Sequence, residues 1–195
     1  MIHQLQVTYV KEHDRILVRL NTRAGEEIRL WLTRGMLKNL HPHLTQATDD
    51  MAVLQPAQSQ GSSNGSAAHD GADSRALYEF KKQESLQKAD FSTPFAEQAQ
   101  TLPIGREPLL ATSVQLCVLQ SGELRLGFEE KLLATDKNRQ IEITLGADLF
   151  NGMMHLLALA LSHADWGLGV APPTLLKKPA TLDAFATAVP PQYLN

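Results

Sequence analysis

Aromatic side chains make up only 6% of this 195-residue chain, so its interior has to be built mainly from leucine, isoleucine and valine. A single cysteine, Cys117, excludes an intramolecular disulfide; set in an apolar alternating run, it is expected to be a small buried side chain in a reducing compartment. Neither sign of charge prevails, since 18 Lys and Arg against 21 Asp and Glu leave a net −3. That balance supplies no overall attraction to nucleic-acid phosphate or anionic lipid, so any such contact needs a local patch. The longest apolar run, residues 149–161, falls short of the ~20 residues a bilayer requires and is interrupted by Asn151, Gly152 and His155. The chain opens directly into strand-like alternation with no basic then apolar leader, so the expectation is a cytoplasmic protein without a secretory signal or a membrane role.

What is present is periodic. Leu5, Val7 and Tyr9 alternate with polar residues, as do Ile16, Val18 and Leu20, and Ile28, Leu30 and Leu32; residues 21–25 supply a polar turn with a glycine for positive φ. Three closely spaced strands on short turns predict an antiparallel meander, because parallel pairing needs long crossovers. Thr33 can cap a helix carrying Leu37, Leu40, Leu44, Ala47, Met51 and Leu54, and Pro42 predicts a kink or two short helices. Residues 55–75 turn to Ser, Gly, Ala, Gln and Asn and predict a flexible loop. Leu77, Phe80, Lys81, Glu84 and Lys88 then fit a short amphipathic helix whose exit Phe91 and Phe95 anchor. Val114, Leu116 and Val118 and, beyond a Ser121-Gly122 turn, Leu124, Leu126 and Phe128 form a second hairpin signal, followed by a strand at Ile141, Ile143 and Leu145. Asp148 can cap a helix from Leu149 to about His163 that is apolar on more than one face, the mark of a core helix packed on two sides. No internal repeat is present. The fold class expected is α+β: an antiparallel sheet or small β-sandwich of about six strands, with an inserted helical segment and a C-terminal core helix. Residues 1–170 are expected to form one domain, and 171–195, with five prolines, an extended tail.

Two segments, DRILVRLNTRAGEEIRLWLTR at 14–34 and ADFSTPFAEQAQTLPIGREPLLATSVQL at 89–116, together with HLLALALSHADW at 155–166, resemble an uncharacterised bacterial protein family. The resemblance spans most of the periodic chain and implies no activity. Where that family leads one to expect two basic residues after Trp-Leu-Thr, this chain has Arg34-Gly35. A looser, architectural resemblance joins VRL, LWLT and IEITLGADLFNGMMHLLALAL to the head domain of centriolar and end-joining scaffold proteins, and implies a small β-sandwich that dimerises, here without their heptad stalk.

Motifs of catalysis are missing. There is no Cys-x-x-Cys, His-Glu-x-x-His, Gly-x-Ser-x-Gly or P-loop, His41-Pro42-His43 has no standard zinc spacing, and Gly167-Leu168-Gly169 follows a helix where a dinucleotide fingerprint follows a strand. No catalytic residue, cofactor or metal ligand is therefore assigned. His155 and His163, eight apart on one helix, together with Asp165, are the residues an unfamiliar enzyme site would use, and such a site requires a pocket holding at least two of them.

The candidate surface is the outward face of the first sheet, where alternation places Arg15, Leu17 and Arg19, and Glu27, Arg29 and Trp31, with Arg23 and Arg34 near the strand ends. Guanidinium groups pair with carboxylate or phosphate and stack on indole, so this face suits an acidic protein or a nucleic acid; cross-strand pairing of Arg29 with acidic neighbours beneath a covering Trp31 is the structural alternative. The function expected is a non-enzymatic protein-protein interaction or assembly module that binds a protein partner or itself. A nucleic-acid-associated protein is the second reading.

Overall fold

Alternation at period two folds the opening residues into three antiparallel strands, β1 (Ile2–Val10), β2 (Arg15–Thr22) and β3 (Glu27–Thr33). The structure is a computed structural model and describes residues 2–59, 71–91, 93–96, 101–131 and 138–168. Val7 lies opposite Val18 and Val18 opposite Leu30, which sends Leu5, Ile16, Leu20 and Ile28 to the same buried face. The first turn is a single 3-10 turn, Lys11–His13, closed by Asp14 at φ 47°; the second uses Gly25 at φ 77°, a conformation glycine enters without penalty.

Thr33 Oγ1 accepts the Met36 backbone N–H at 3.2 Å and so caps α1 (Arg34–Ser59) as its sequence predicts. The helix runs as one element through Pro42, where two short helices or a kink were the expectation. Leu37, Leu40, Leu44, Ala47 and Met51 form one buried stripe on both sides of the exposed proline, and that burial outweighs one missing backbone bond. Helix α2 (Gly71–Lys88) packs on α1. The two helices reach into the stretch whose composition predicts a loop, because adding a turn to a packed helix costs little; residues 60–70 lie outside those described. The buried face of α2 carries Tyr78 and Leu86, whereas Phe80, expected on the apolar side, is 66% exposed.

Past α2 the chain forms β4 (Leu109–Leu110), which pairs parallel to β3, and β5 (Ser113–Val118), which pairs antiparallel to β6 (Leu124–Glu130) and through it to β7 (Arg139–Leu145). The described residues thus make one sheet of order β1-β2-β3-β4 and another of order β5-β6-β7. The change of sheet takes place between two adjacent residues: Ala111 N donates to Trp31 O at 3.0 Å and Thr112 N to Glu129 O at 2.9 Å. The β5–β6 turn uses Gly122 at φ 76°. Cys117 faces out of the second sheet and is exposed, contrary to expectation, because Val114, Leu116 and Val118 take the inward positions of β5.

Helix α3 (Ala147–Ala164) begins two residues before its expected start. Gly146 occupies the N-cap without a side-chain bond, so Asp148 does not cap; it sits in the first turn, where a carboxylate is favoured by the helix dipole. Phe150, Leu156, Leu157 and Leu161 are buried, and α3 packs on β1, β7 and α2, the two-sided burial its sequence implies. Both sheets, α1 and α3 share one apolar cluster, and Val18, Leu126, Leu44 and Leu157 meet around a void of about 20 Å³. The fold is α+β with two sheets and a C-terminal helix. Among the described residues no helix is long and apolar enough to cross a membrane. The tail from 171 onward lies outside the described residues.

Candidate functional site

Strand register sorts the outward face of the first sheet into rows. Gln4, Asn21 and Glu27 form one, Gln6, Arg19 and Arg29 the next, Thr8, Leu17, Trp31 and Leu110 the third, and Val10, Arg15 and Thr33 the last. The first two rows are closed on themselves. Glu27 is fully buried and accepts Arg19 Nε at 2.7 Å and Arg29 Nε at 2.8 Å on one oxygen, and a second Arg29 nitrogen at 3.1 Å on the other. Burial alone pushes this carboxyl up, but the bonds from Arg29 and Arg19 outweigh it and hold Glu27 below the usual carboxylate range.

A strap of residues 93–96 covers these rows. Arg19 donates to Gln6 Oε1 at 3.2 Å and lies 4.5 Å from the centre of the Phe95 ring, a cation–π contact. Asn21 Nδ2 donates to Ala96 O at 2.8 Å, and Ala96 N donates to Gln4 Oε1 at 3.0 Å. Arg19, with 14% of its side chain exposed, and Arg29, with 29%, are thereby committed mainly to Glu27. Gln6 did not stand out in the sequence, and Phe95, expected to anchor the exit of α2, gave no sign of its contact with Arg19. The position of Glu27 two residues before Arg29 on one strand was the only local signal of the triad.

The remaining rows are open. Leu17 pairs with Trp31 and Trp31 with Leu110; together with Val10 these side chains are half-buried, an apolar band lying along the sheet. The His13 ring sits 5.3 Å from that of Trp31. Half-buried Arg15 lies opposite Thr33, and exposed Arg34 follows at the start of α1; neither makes an ion pair among the described residues. The fold therefore brings Arg15, Arg19, Arg29 and Trp31 onto one face, sets Arg34 at its edge, and places Arg23 elsewhere: in the β2–β3 turn, exposed, lining a separate groove with Lys81.

The histidine arrangement does not converge. His155 is 4% exposed, packs its ring 5.0 Å from that of Phe91, and has no hydrogen-bond partner for either ring nitrogen among the described residues; burial lowers its pKa. His163 and Asp165 are exposed, and eight helical residues separate His155 from His163 by about 12 Å along the axis. One buried and two exposed groups at that spacing do not share a pocket. His41 is half-buried with its pKa lowered by burial, while His43 faces solvent. Among the described residues no group of three or more His, Cys, Asp or Glu is placed to hold a metal ion.

No family model matches the chain, and neither the curated proteins nor the solved structures contain a match.

Proposed function

We propose that this protein is a non-enzymatic interaction module that receives an acidic protein partner on the open half of its first sheet, with Trp31 as the anchor. The observation that carries this is the half-buried band Leu17–Trp31–Leu110, bordered by Arg15, which makes no ion pair among the described residues, and by exposed Arg34, whose only described carboxylate influence is the longer-range one on Asp14. Trp and Arg are the side chains that dominate binding energy when they are desolvated at the centre of an interface. A second copy docked through two-fold symmetry would set this arginine-bearing face against the same face, so charge favours a carboxylate-bearing partner over self-association. The nucleic-acid reading has fewer free cations to draw on, since Arg19 and Arg29 already neutralise Glu27.

A photo-crosslinking residue placed at Leu17 in the full chain, used in cells, tests the reading. The expected adduct carries an acidic crosslinked segment, is lost on Arg15→Glu with Arg34→Glu, and does not form from the same residue placed at Phe80. Equal adducts from both positions would reject the face as a docking site. Salt-sensitive retention of a single-stranded oligonucleotide, lost in the same double variant, would favour nucleic acid instead. A dimer in light scattering that Trp31→Ala dissociates would favour self-association.

A further inference from the structure

A second surface, independent of the sheet face, holds Arg23. It is a groove of about 730 Å³ between α2, the start of β1 and the first turn of α3, within the size range of small-molecule sites. Four cations line it, Arg23, Lys81, Lys82 and Lys88, against the carboxylates of Glu84 and Asp148, in a chain whose net charge is −3. Lys88 is held by Glu84 at 2.6 Å, and Lys82 by Glu79 at 3.6 Å. Arg23 and Lys81 make no ion pair among the described residues. The walls between the charges are apolar, contributed by Ile2, Ala89 and Leu149. At its base Tyr78 donates to Asn151 Oδ1 at 3.1 Å, so that hydroxyl proton is already used.

We infer that this groove binds a small organic anion: one compact oxyanion, phosphate or carboxylate, held by Arg23 and Lys81, on an uncharged apolar body lying against Ile2 and Leu149. The cations provide the attraction and the apolar walls reward a body that bare phosphate lacks. Asp148 sets the limit. It is exposed in the first turn of α3 and lines the same groove, so charge extending along the groove toward that turn is repelled, which disfavours polyphosphates and favours a single anionic head.

Titration of the isotope-labelled full chain by NMR at about 150 mM salt, where exposed charges are screened beyond a Debye length, tests this with three probes: phenyl phosphate, phenylacetate and inorganic phosphate. The expected result is saturable shifts confined to the amides of residues 2–3, 22–24, 78–89 and 147–151, with phenyl phosphate or phenylacetate binding roughly tenfold tighter than inorganic phosphate. Whichever aromatic probe binds more tightly identifies the head group. Arg23→Glu with Lys81→Glu abolishes saturation with the rest of the spectrum unchanged, and Arg23→Gln with Lys81→Gln weakens it without reversing the charge. Asp148→Asn strengthens binding several-fold. Scattered shifts that do not saturate, or saturation unaffected by either double variant, would overturn the site; inorganic phosphate binding as tightly as phenyl phosphate would overturn the organic ligand. None of these outcomes depends on the sheet face, whose loss through Trp31→Ala leaves the titration unchanged.

Discussion

Trp166, just beyond α3, donates its indole N–H to Asp14 Oδ1 over 2.8 Å, joining residues 152 positions apart. Tyr9 donates its hydroxyl to the same oxygen at 3.0 Å and meets the indole edge-on, with ring centres 5.7 Å apart at 84°. The end of the last helix is thereby tied to the first turn of the chain. The bonds from Trp166 and then Tyr9 hold the Asp14 carboxyl below its ordinary value of 3.8. Trp166→Ala, which empties a site only 5% exposed, is expected to cost about 3–5 kcal/mol in urea denaturation, and Trp166→Phe clearly less. Because the folded pKa lies below the unfolded one, the carboxylate's contribution is complete above pH 3.8 and declines as pH falls through the folded value. Asp14→Asn, which tolerates the left-handed backbone at φ 47°, should flatten that acid limb.

Removing Glu27 should be among the costliest single changes on the first sheet. Glu27→Gln leaves Arg19 and Arg29 facing a neutral group beneath the strap, an expected loss of about 3 kcal/mol, at the lower end for a broken buried pair because Arg29 still reaches solvent. The wild-type carboxyl is held below 4.5, so the stabilisation is present at neutral pH and fades as pH falls through the folded value. Denaturation midpoints of the two proteins should converge in acid.

His155 predicts a pH dependence centred higher. Its folded pKa is lowered by burial from 6.5, so the unfolded chain takes up the proton more readily, and stability should fall as pH drops below 6.5 toward the folded value. His155→Leu removes two buried ring nitrogens that lack partners among the described residues; it is expected to be neutral or stabilising at pH near 7 and to abolish that slope. Unchanged slope in the variant would assign the titration to another group.

Thr33→Ala should cost about 1 kcal/mol, the usual worth of an N-cap, by freeing the Met36 N–H at the junction of β3 and α1. The denaturant midpoint should move with an unchanged slope, since no surface area is redistributed.

Cys117 should react with a thiol reagent in the native protein as completely as in denaturant, since its side chain faces solvent on the second sheet. Protection in the native state would mean that this face is covered in solution.

Much of the fold was legible because its causes are local. Leu5 to Tyr9 and Ile28 to Leu32 alternate, Gly25 takes the positive φ a tight turn needs, and Thr33 offers an oxygen to the third residue of its helix; each can be read within a few neighbours. β4 was not legible, because two residues have no period and its parallel partner lies some eighty positions earlier. The exposure of Cys117 was legible in the parity of 113–118, which sets it with Ser113 and Gln115 opposite Val114, Leu116 and Val118; the expectation of burial followed residue type instead. On the candidate surface the sequence placed Arg15, Arg19, Arg29 and Trp31 on one face through strand parity, but parity could not divide that face into a closed half and an open one.

The amino-acid order by itself determined the strands other than β4, the approximate places of the helices, most of the buried apolar set and the shared side of Arg15, Arg19, Arg29 and Trp31, since these follow from backbone geometry acting over a handful of residues. Only the tertiary structure decided that Glu27 captures two guanidiniums under a strap from residues 93–96, that Asp14 is claimed by Trp166, and that Arg23 leaves its fellow arginines for a groove beside Lys81. The strength of a charge depends on what surrounds it in space, and those neighbours are brought together by packing across long stretches of chain.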